Sequence, residues 1–197
     1  KSLIKTAGKD NPLNWDQVAM ILESIKVSGE KEQYTLANAF SSACDKDIIQ
    51  KASMDWEQVE AWIIEIKGLS GKEDAQTRLA SAFSSVCFNE CVKPASLGKE
   101  QIFEWTRWIK DHPWDPNVLR FLSDSYNFVC IKNGFKEGCL EWEDAEILMK
   151  DIQSFSGRKK MQEFWVDMFK WICMKKCLKT ECMGWAEVEK IIKEIKS

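Results

Sequence analysis

Four cysteines, Cys44, Cys87, Cys130 and Cys173, stand 43 residues apart, and this period constrains the chain more than any other feature. A fixed period of 20 to 50 residues marks an array of one repeated supersecondary unit. The spacing also carries its surroundings. Twelve residues after three of these cysteines comes a tryptophan, Trp56, Trp142 or Trp185, with Lys99 in that place after Cys87 and Trp15 opening the series. From each start the apolar residues fall three, six or seven, and ten positions on. These are Val18, Ile21, Leu22 and Ile25, then Val59, Trp62, Ile63 and Ile66. The third copy has Ile102, Trp105 and Ile109, and the fourth Ala145, Leu148, Met149 and Ile152. Such spacing lines one face of an α-helix.

A turn follows each of these helices. Ser28-Gly29, Ser70-Gly71 and Ser156-Gly157 end three of them with glycine, and Asp111-His112-Pro113 ends the other through proline. A second helix then runs to the repeat cysteine. Its apolar residues are Leu36, Phe40 and Ala43; Leu79, Phe83 and Val86; Leu122, Tyr126 and Val129; and Trp165, Phe169 and Ile172. Residues 185–196, with Trp185, Val188, Ile191, Ile192 and Ile195, read as one more first helix, a cap on the array. The expected fold is all-α: four tandem helix hairpins of 43 residues plus a C-terminal capping helix, bonded by disulfides. Pro, Ser and Gly cluster at Pro94-Ala95-Ser96-Leu97-Gly98. A linker at 94–98 is therefore expected between an N-terminal half, 1–93, and a C-terminal half, 99–197.

The chain opens at Lys1 with no apolar leader, and it carries eight cysteines. Both lead to the expectation of a secreted, extracellular protein from which a signal peptide has been removed. All eight, Cys44, Cys87, Cys91, Cys130, Cys139, Cys173, Cys177 and Cys182, are expected in disulfides. Asn133-Gly134 suggests a turn that joins Cys130 to Cys139, and Cys173 to Cys182 has the same spacing. Cys91 to Cys177 would then tie the halves together. Zinc sites use two close pairs of ligands, a pattern these cysteines do not follow, so no metal and no cofactor are expected.

Catalysis finds no support. His112, the single histidine, precedes a proline in a turn, and no serine or cysteine lies in a nucleophile motif. Glu141 and Glu143, or Glu181 and Glu187, sit at helix starts, where acidic groups favour the helix dipole. The net charge of −3, with lysine and glutamate interleaved, gives no basic stripe for nucleic acid, and no apolar run is long enough for a transmembrane segment.

What the shared code does not require is aromatic. Thr35 and Ser42, then Arg78 and Ser85, become Phe121 and Phe128, then Phe164 and Trp171, and repeat three adds Trp108 and Trp114. These six are the candidate interface-active residues, a second apolar stripe through which repeats three and four pack on each other or on the first half, or which meets a lipid, a partner or an air–water boundary. A tryptophan-rich helical chain of this size, with the Trp15, Trp56, Trp142, Trp185 series, the Cys44, Cys87, Cys130, Cys173 series and no catalytic set, resembles the ranaspumins, the foam-nest surfactant proteins of frogs, in their larger single-chain type. The resemblance implies a non-enzymatic surfactant that adsorbs at the air–water interface and stabilises foam by exposing apolar helix faces, with other foam proteins or glycans as partners. The alternatives are a secreted interaction or effector protein docking through the aromatic stripe, and a carrier of small apolar ligands.

Overall fold

The computed structural model describes residues 2–69, 71–154 and 159–179. The expected capping helix at 185–196 and Cys182 lie outside them. The chain is all-α, with nine helices and no strand among the described residues. A short α1, Ser2–Thr6, precedes the first expected hairpin. Then come α2 Trp15–Val27 and α3 Glu30–Cys44, α4 Trp56–Gly68 and α5 Glu73–Phe88, α6 Lys99–Asp111 and α7 Pro116–Ile131, and α8 Trp142–Ser154 and α9 Lys159–Met174.

At the start of the first helix of each pair a backbone N–H donates to the side chain three positions on, and at α2 the bond is reciprocal. The Gln17 N–H donates to Asn14 Oδ1 at 3.0 Å, and the Asn14 N–H donates to Gln17 Oε1 at 3.1 Å. The Asp55 N–H donates to Gln58 Oε1, the Gly98 N–H to Gln101 Oε1, and the Glu141 N–H to Asp144 Oδ2. Each bond satisfies a backbone donor that a helix start leaves without a partner.

Those helices end differently. The buried side chains of Gln33 and Gln76 reach back from the second helix, and their amides donate to the carbonyls of Lys26 at 2.9 Å and Ile66 at 3.0 Å. Gln76→Met, which keeps the volume and removes the donor, is expected to leave the Ile66 carbonyl unsatisfied and cost about 1–3 kcal/mol, read as a lower urea midpoint. Repeat three has Leu119 in place of this glutamine. There α6 stops at Asp111 ahead of Pro113, and the Trp114 indole N–H donates to the Trp108 carbonyl at 2.8 Å.

The second helices pack in succession, α3 on α5, α5 on α7 and α7 on α9, and α2 packs on both α3 and α4. Trp56 of α4 touches Trp105 and Trp108 of α6, and Lys110 of α6 pairs with Asp151 of α8. The helices therefore form two rows with the apolar residues between them, in one core running from Leu13 to Leu178. Parallel bridges join the segments between hairpins: Leu13 with Ile49, Met54 with Val92, Leu97 with Phe135, and Leu140 with Leu178. After each second helix one residue takes the left-handed conformation, namely Asp47, Glu90, Asn133 and Lys176, turning the chain into its bridge. At 94–98, Leu97 is fully buried. Its N–H donates to the Gly134 carbonyl at 3.0 Å, and its own carbonyl accepts from the Lys136 N–H at 2.8 Å.

Candidate functional site

The turn that ends α6 is the place where the extra aromatics of repeat three converge. Ile63, Ile64 and Lys67 of α4 face Arg107, Trp108 and Asp111 of α6 across a groove of about 260 Å3, and His112 and Trp114 close its end. The groove arises because α4 and α6 lie side by side in one row, while Pro113 turns the chain sharply enough to bring Trp114 back over Trp108. Lys67, Arg107 and Asp111 line its mouth, and Arg107 is paired with Glu104 at 3.5 Å. Its floor is indole and isoleucine.

His112 packs edge-on to Trp114, with ring centroids 4.1 Å apart. Partial burial, and then the charge of Lys67, hold this imidazole below its ordinary pKa of 6.5. The unfolded chain therefore binds the proton more readily than the folded one. Whatever stability the neutral ring contributes is present above pH 6.5 and is lost as pH falls through 6.5 toward the folded value. Because imidazolium quenches indole, tryptophan emission is expected to rise with pH through a midpoint below 6.5. The step should be absent from His112→Gln, and its persistence there would place the titrating group elsewhere.

The six aromatics expected to form one stripe are held in several separate settings. Trp114 is buried at 9 %, and its indole does for α6 what Gln33 and Gln76 do for the first two hairpins. Trp108, Phe121, Phe128, Phe164 and Trp171 are half-buried and pack against the core. Phe128 meets Phe88 of α5 edge-on at 5.1 Å, with Lys132 over the Phe88 ring. Arg120 lies over Phe121 at 4.6 Å, Lys170 lies near the Trp171 ring at 5.8 Å, and Phe164 stands against Trp165. Phe88, 53 % exposed, was not singled out from the sequence. Its signal was available, since the residue after the repeat cysteine is Asp45 in the first copy and Phe88 in the second.

The seven described cysteines are free thiols, and no disulfide is formed among them. They fall into two groups. Cys91 lies within electrostatic reach of Cys44 and Cys87, and Cys130 and Cys177 lie within reach of each other, with Cys139 and Cys173 nearby. Cys91 thus neighbours Cys44 and Cys87 rather than Cys177, and Cys130 has Cys177 beside it as well as Cys139. Two of the expected pairings, Cys130 with Cys139 and Cys173 with Cys182, assumed that sequence neighbours would meet, and the third, Cys91 with Cys177, joined the two halves. Packing of α7 on α9 also brings Cys130 near Cys177, 47 residues on. Burial pushes the Cys91 thiol up to about 12, and those of Cys139 and Cys173 up to about 11. Among the described residues no group of three or more His, Cys, Asp or Glu is placed to hold a metal ion, and no helix is long and apolar enough to cross a membrane.

No family model, curated protein or solved structure matches the chain.

Proposed function

We propose that this is a secreted, non-enzymatic surface-active protein: a stack of four helix hairpins capped by a C-terminal helix, which adsorbs at an air–water boundary and stabilises foam. The observation that carries the reading is the two-row arrangement around one continuous aromatic core. Each row is amphipathic. Parting one hairpin from the next lets both lie flat with their apolar faces toward air, without unwinding any helix.

The energies permit such an opening at an interface and oppose it in solution. Unfastening the linker at 94–98 breaks the hydrogen bonds donated by the Ala95 N–H to Asn133, by the Leu97 N–H to Gly134 and by the Lys136 N–H to the Leu97 carbonyl, each worth about 0.5–1.5 kcal/mol net. In water the parted faces of α5 and α7 would also lose their burial, at about 25 cal/mol per Å2. At the air boundary those faces leave the core without meeting water, so this cost, about 5–10 kcal/mol for a few hundred Å2, is avoided and the hydrogen bonds are the main loss. The exposed apolar side chains of the closed molecule are spread over several helices, Met20 and Val27 on α2, Ile64 on α4, Ile147 on α8 and Met174 on α9, which favours a surfactant that acts by opening.

Surface tension against concentration, by pendant drop, tests the reading. A dilute solution is expected to fall well below the buffer value, and one that stays at the buffer value overturns the proposal. A disulfide engineered between α5 and α7 is expected to slow that fall. The carrier alternative has less support: the apolar groove at the end of α6 holds about 260 Å3, below the roughly 300–1,000 Å3 usual for small-molecule sites, and the larger hollows of about 530 and 520 Å3 are lined mostly by charged side chains.

A further inference from the structure

Aligned on the 43-residue period, six of the eight cysteines occupy two columns, with Cys139 and Cys182 in a third. The first holds Cys44, Cys87, Cys130 and Cys173, and the second, four residues later, holds Ile48, Cys91, Gly134 and Cys177. The second column follows the end of each second helix. There the Cys91 N–H donates to the Val86 carbonyl at 3.2 Å, the Gly134 N–H to Val129 at 2.8 Å, and the Cys177 N–H to Ile172 at 3.0 Å. The carbonyls of the same residues are gripped by the segment that enters the preceding interhairpin bridge. Cys91 accepts from the Ser53 and Met54 N–H groups at 2.9 Å, and Cys177 accepts from the Leu140 N–H at 2.9 Å. A second-column cysteine is thereby drawn toward the hairpin before its own, whose first-column cysteine lies 47 residues upstream.

Cys130 lies at the end of α7 and Cys177 follows α9, the two helices pack on each other, and the two thiols lie within electrostatic reach. In the first half, Cys91 Sγ points at the Ile49 carbonyl at 3.6 Å, in the segment that follows Cys44, and the Asn89 side chain donates to the Cys44 carbonyl at 3.0 Å. Cys87 is the competitor for Cys91, but its thiol also lies beside Ser125 of α7, the next second helix along. Its own partner position, 47 residues on, is Gly134.

We propose that Cys44 with Cys91, and Cys130 with Cys177, form two disulfides of one register, the first joining hairpins one and two and the second joining hairpins three and four. The glycine at 134 leaves the junction between hairpins two and three without a bridge of this kind. The inference rests on the cysteine geometry and does not depend on surface activity.

The oxidant required is a small disulfide of the glutathione class. One protein thiolate attacks it, forming a mixed disulfide and releasing one donor thiol. The second protein thiol loses its proton, attacks the bound protein sulfur and displaces the other donor thiol. Two protein thiols lose two protons and two electrons, and the donor disulfide gains them as two thiols. In the second pair, the nearness of the two sulfurs draws the Cys177 thiol below its usual range and pushes that of Cys130 up, so Cys177 is the more readily ionised sulfur. All four residues are at most 1 % exposed, so exchange belongs to folding rather than to the closed molecule.

The test refolds the reduced full chain in a glutathione redox buffer, blocks remaining thiols with an alkylating reagent, and maps linked peptides by mass spectrometry under non-reducing conditions. Peptides joining Cys44 to Cys91 and Cys130 to Cys177 are expected, each bond lowering the intact mass by two hydrogens. Cys177→Ser should free Cys130 for alkylation and leave Cys44 and Cys91 protected, whereas Cys139→Ser should leave both bonds in place. Links from Cys91 to Cys87 or from Cys130 to Cys139, or full alkylation of all four after oxidative refolding, would overturn the proposal. If Cys177→Ser does not fold, the peptide map of the unaltered chain decides alone.

Discussion

Trp105→Ala is expected to destabilise the protein by about 3–5 kcal/mol, the range for removing a fully enclosed large aromatic. Trp105 has no exposed surface, and its ring lies against Trp56 of α4, Phe83 of α5, Tyr126 of α7 and Phe135 beyond α7, at centroid distances of 5.4 to 6.5 Å. Three helices and a bridge segment therefore border the space an alanine would leave, and none of them can collapse into it without pulling away from another partner. The control is Trp105→Phe. It keeps most of the ring contacts and removes the indole N–H, which is buried without a hydrogen-bond partner. The loss of volume is then offset by relief of an unsatisfied donor, itself worth about 1–3 kcal/mol, so the phenylalanine variant should stay within about 1.5 kcal/mol of the parent. Urea unfolding followed by far-ultraviolet circular dichroism separates the two, and an alanine variant losing less than about 1 kcal/mol would show that the site is not the shared centre described here.

Gly134→Ala is the second large effect, and it acts by crowding. A Cβ at this position would sit 2.5 Å from Val129 Cγ1 and 3.1 Å from the Val129 carbonyl oxygen. Valine is branched at Cβ and has no flexible end to swing aside, and that carbonyl is already held at 2.8 Å by the Gly134 N–H. Overpacking of this kind costs about 1–3 kcal/mol. The double variant Gly134→Ala with Val129→Ala removes one of the two colliding groups. It should be more stable than the sum of the single effects predicts by about 0.5 kcal/mol or more, a coupling that a double-mutant cycle measures directly. Strict additivity would place the cost elsewhere.

Gly134 also shows how far local reading reaches. Asn133-Gly134 reads as a turn, and a turn is there, but Asn133 takes the left-handed conformation at φ 60°. The glycine is needed for close approach to Val129, a requirement visible only once the end of α7 is in place. The helix faces, by contrast, were legible residue by residue. Val18, Ile21, Leu22 and Ile25, and their counterparts Val59, Trp62, Ile63 and Ile66, are all buried. The glutamines at 17, 58 and 101 that close the helix starts were legible in principle, since each stands three residues after a capping position. The aromatic excess of repeat three was visible as composition, whereas its use was not. Trp114 donates to the Trp108 carbonyl because Pro113 bends the chain and because Leu119 has replaced the glutamine that ends α2 and α4 elsewhere.

The sequence by itself determined what is local: the all-helical class, the helix faces, and turns at glycine and proline, because these depend on residues within one or two helical turns of each other. The tertiary structure alone decided which side chains from different hairpins meet. Cys130 has Cys177 beside it across a hairpin boundary as well as its neighbour Cys139, and α4 with α6 makes a groove, because side-by-side packing brings together residues one repeat apart and one strand of sequence carries no record of that distance.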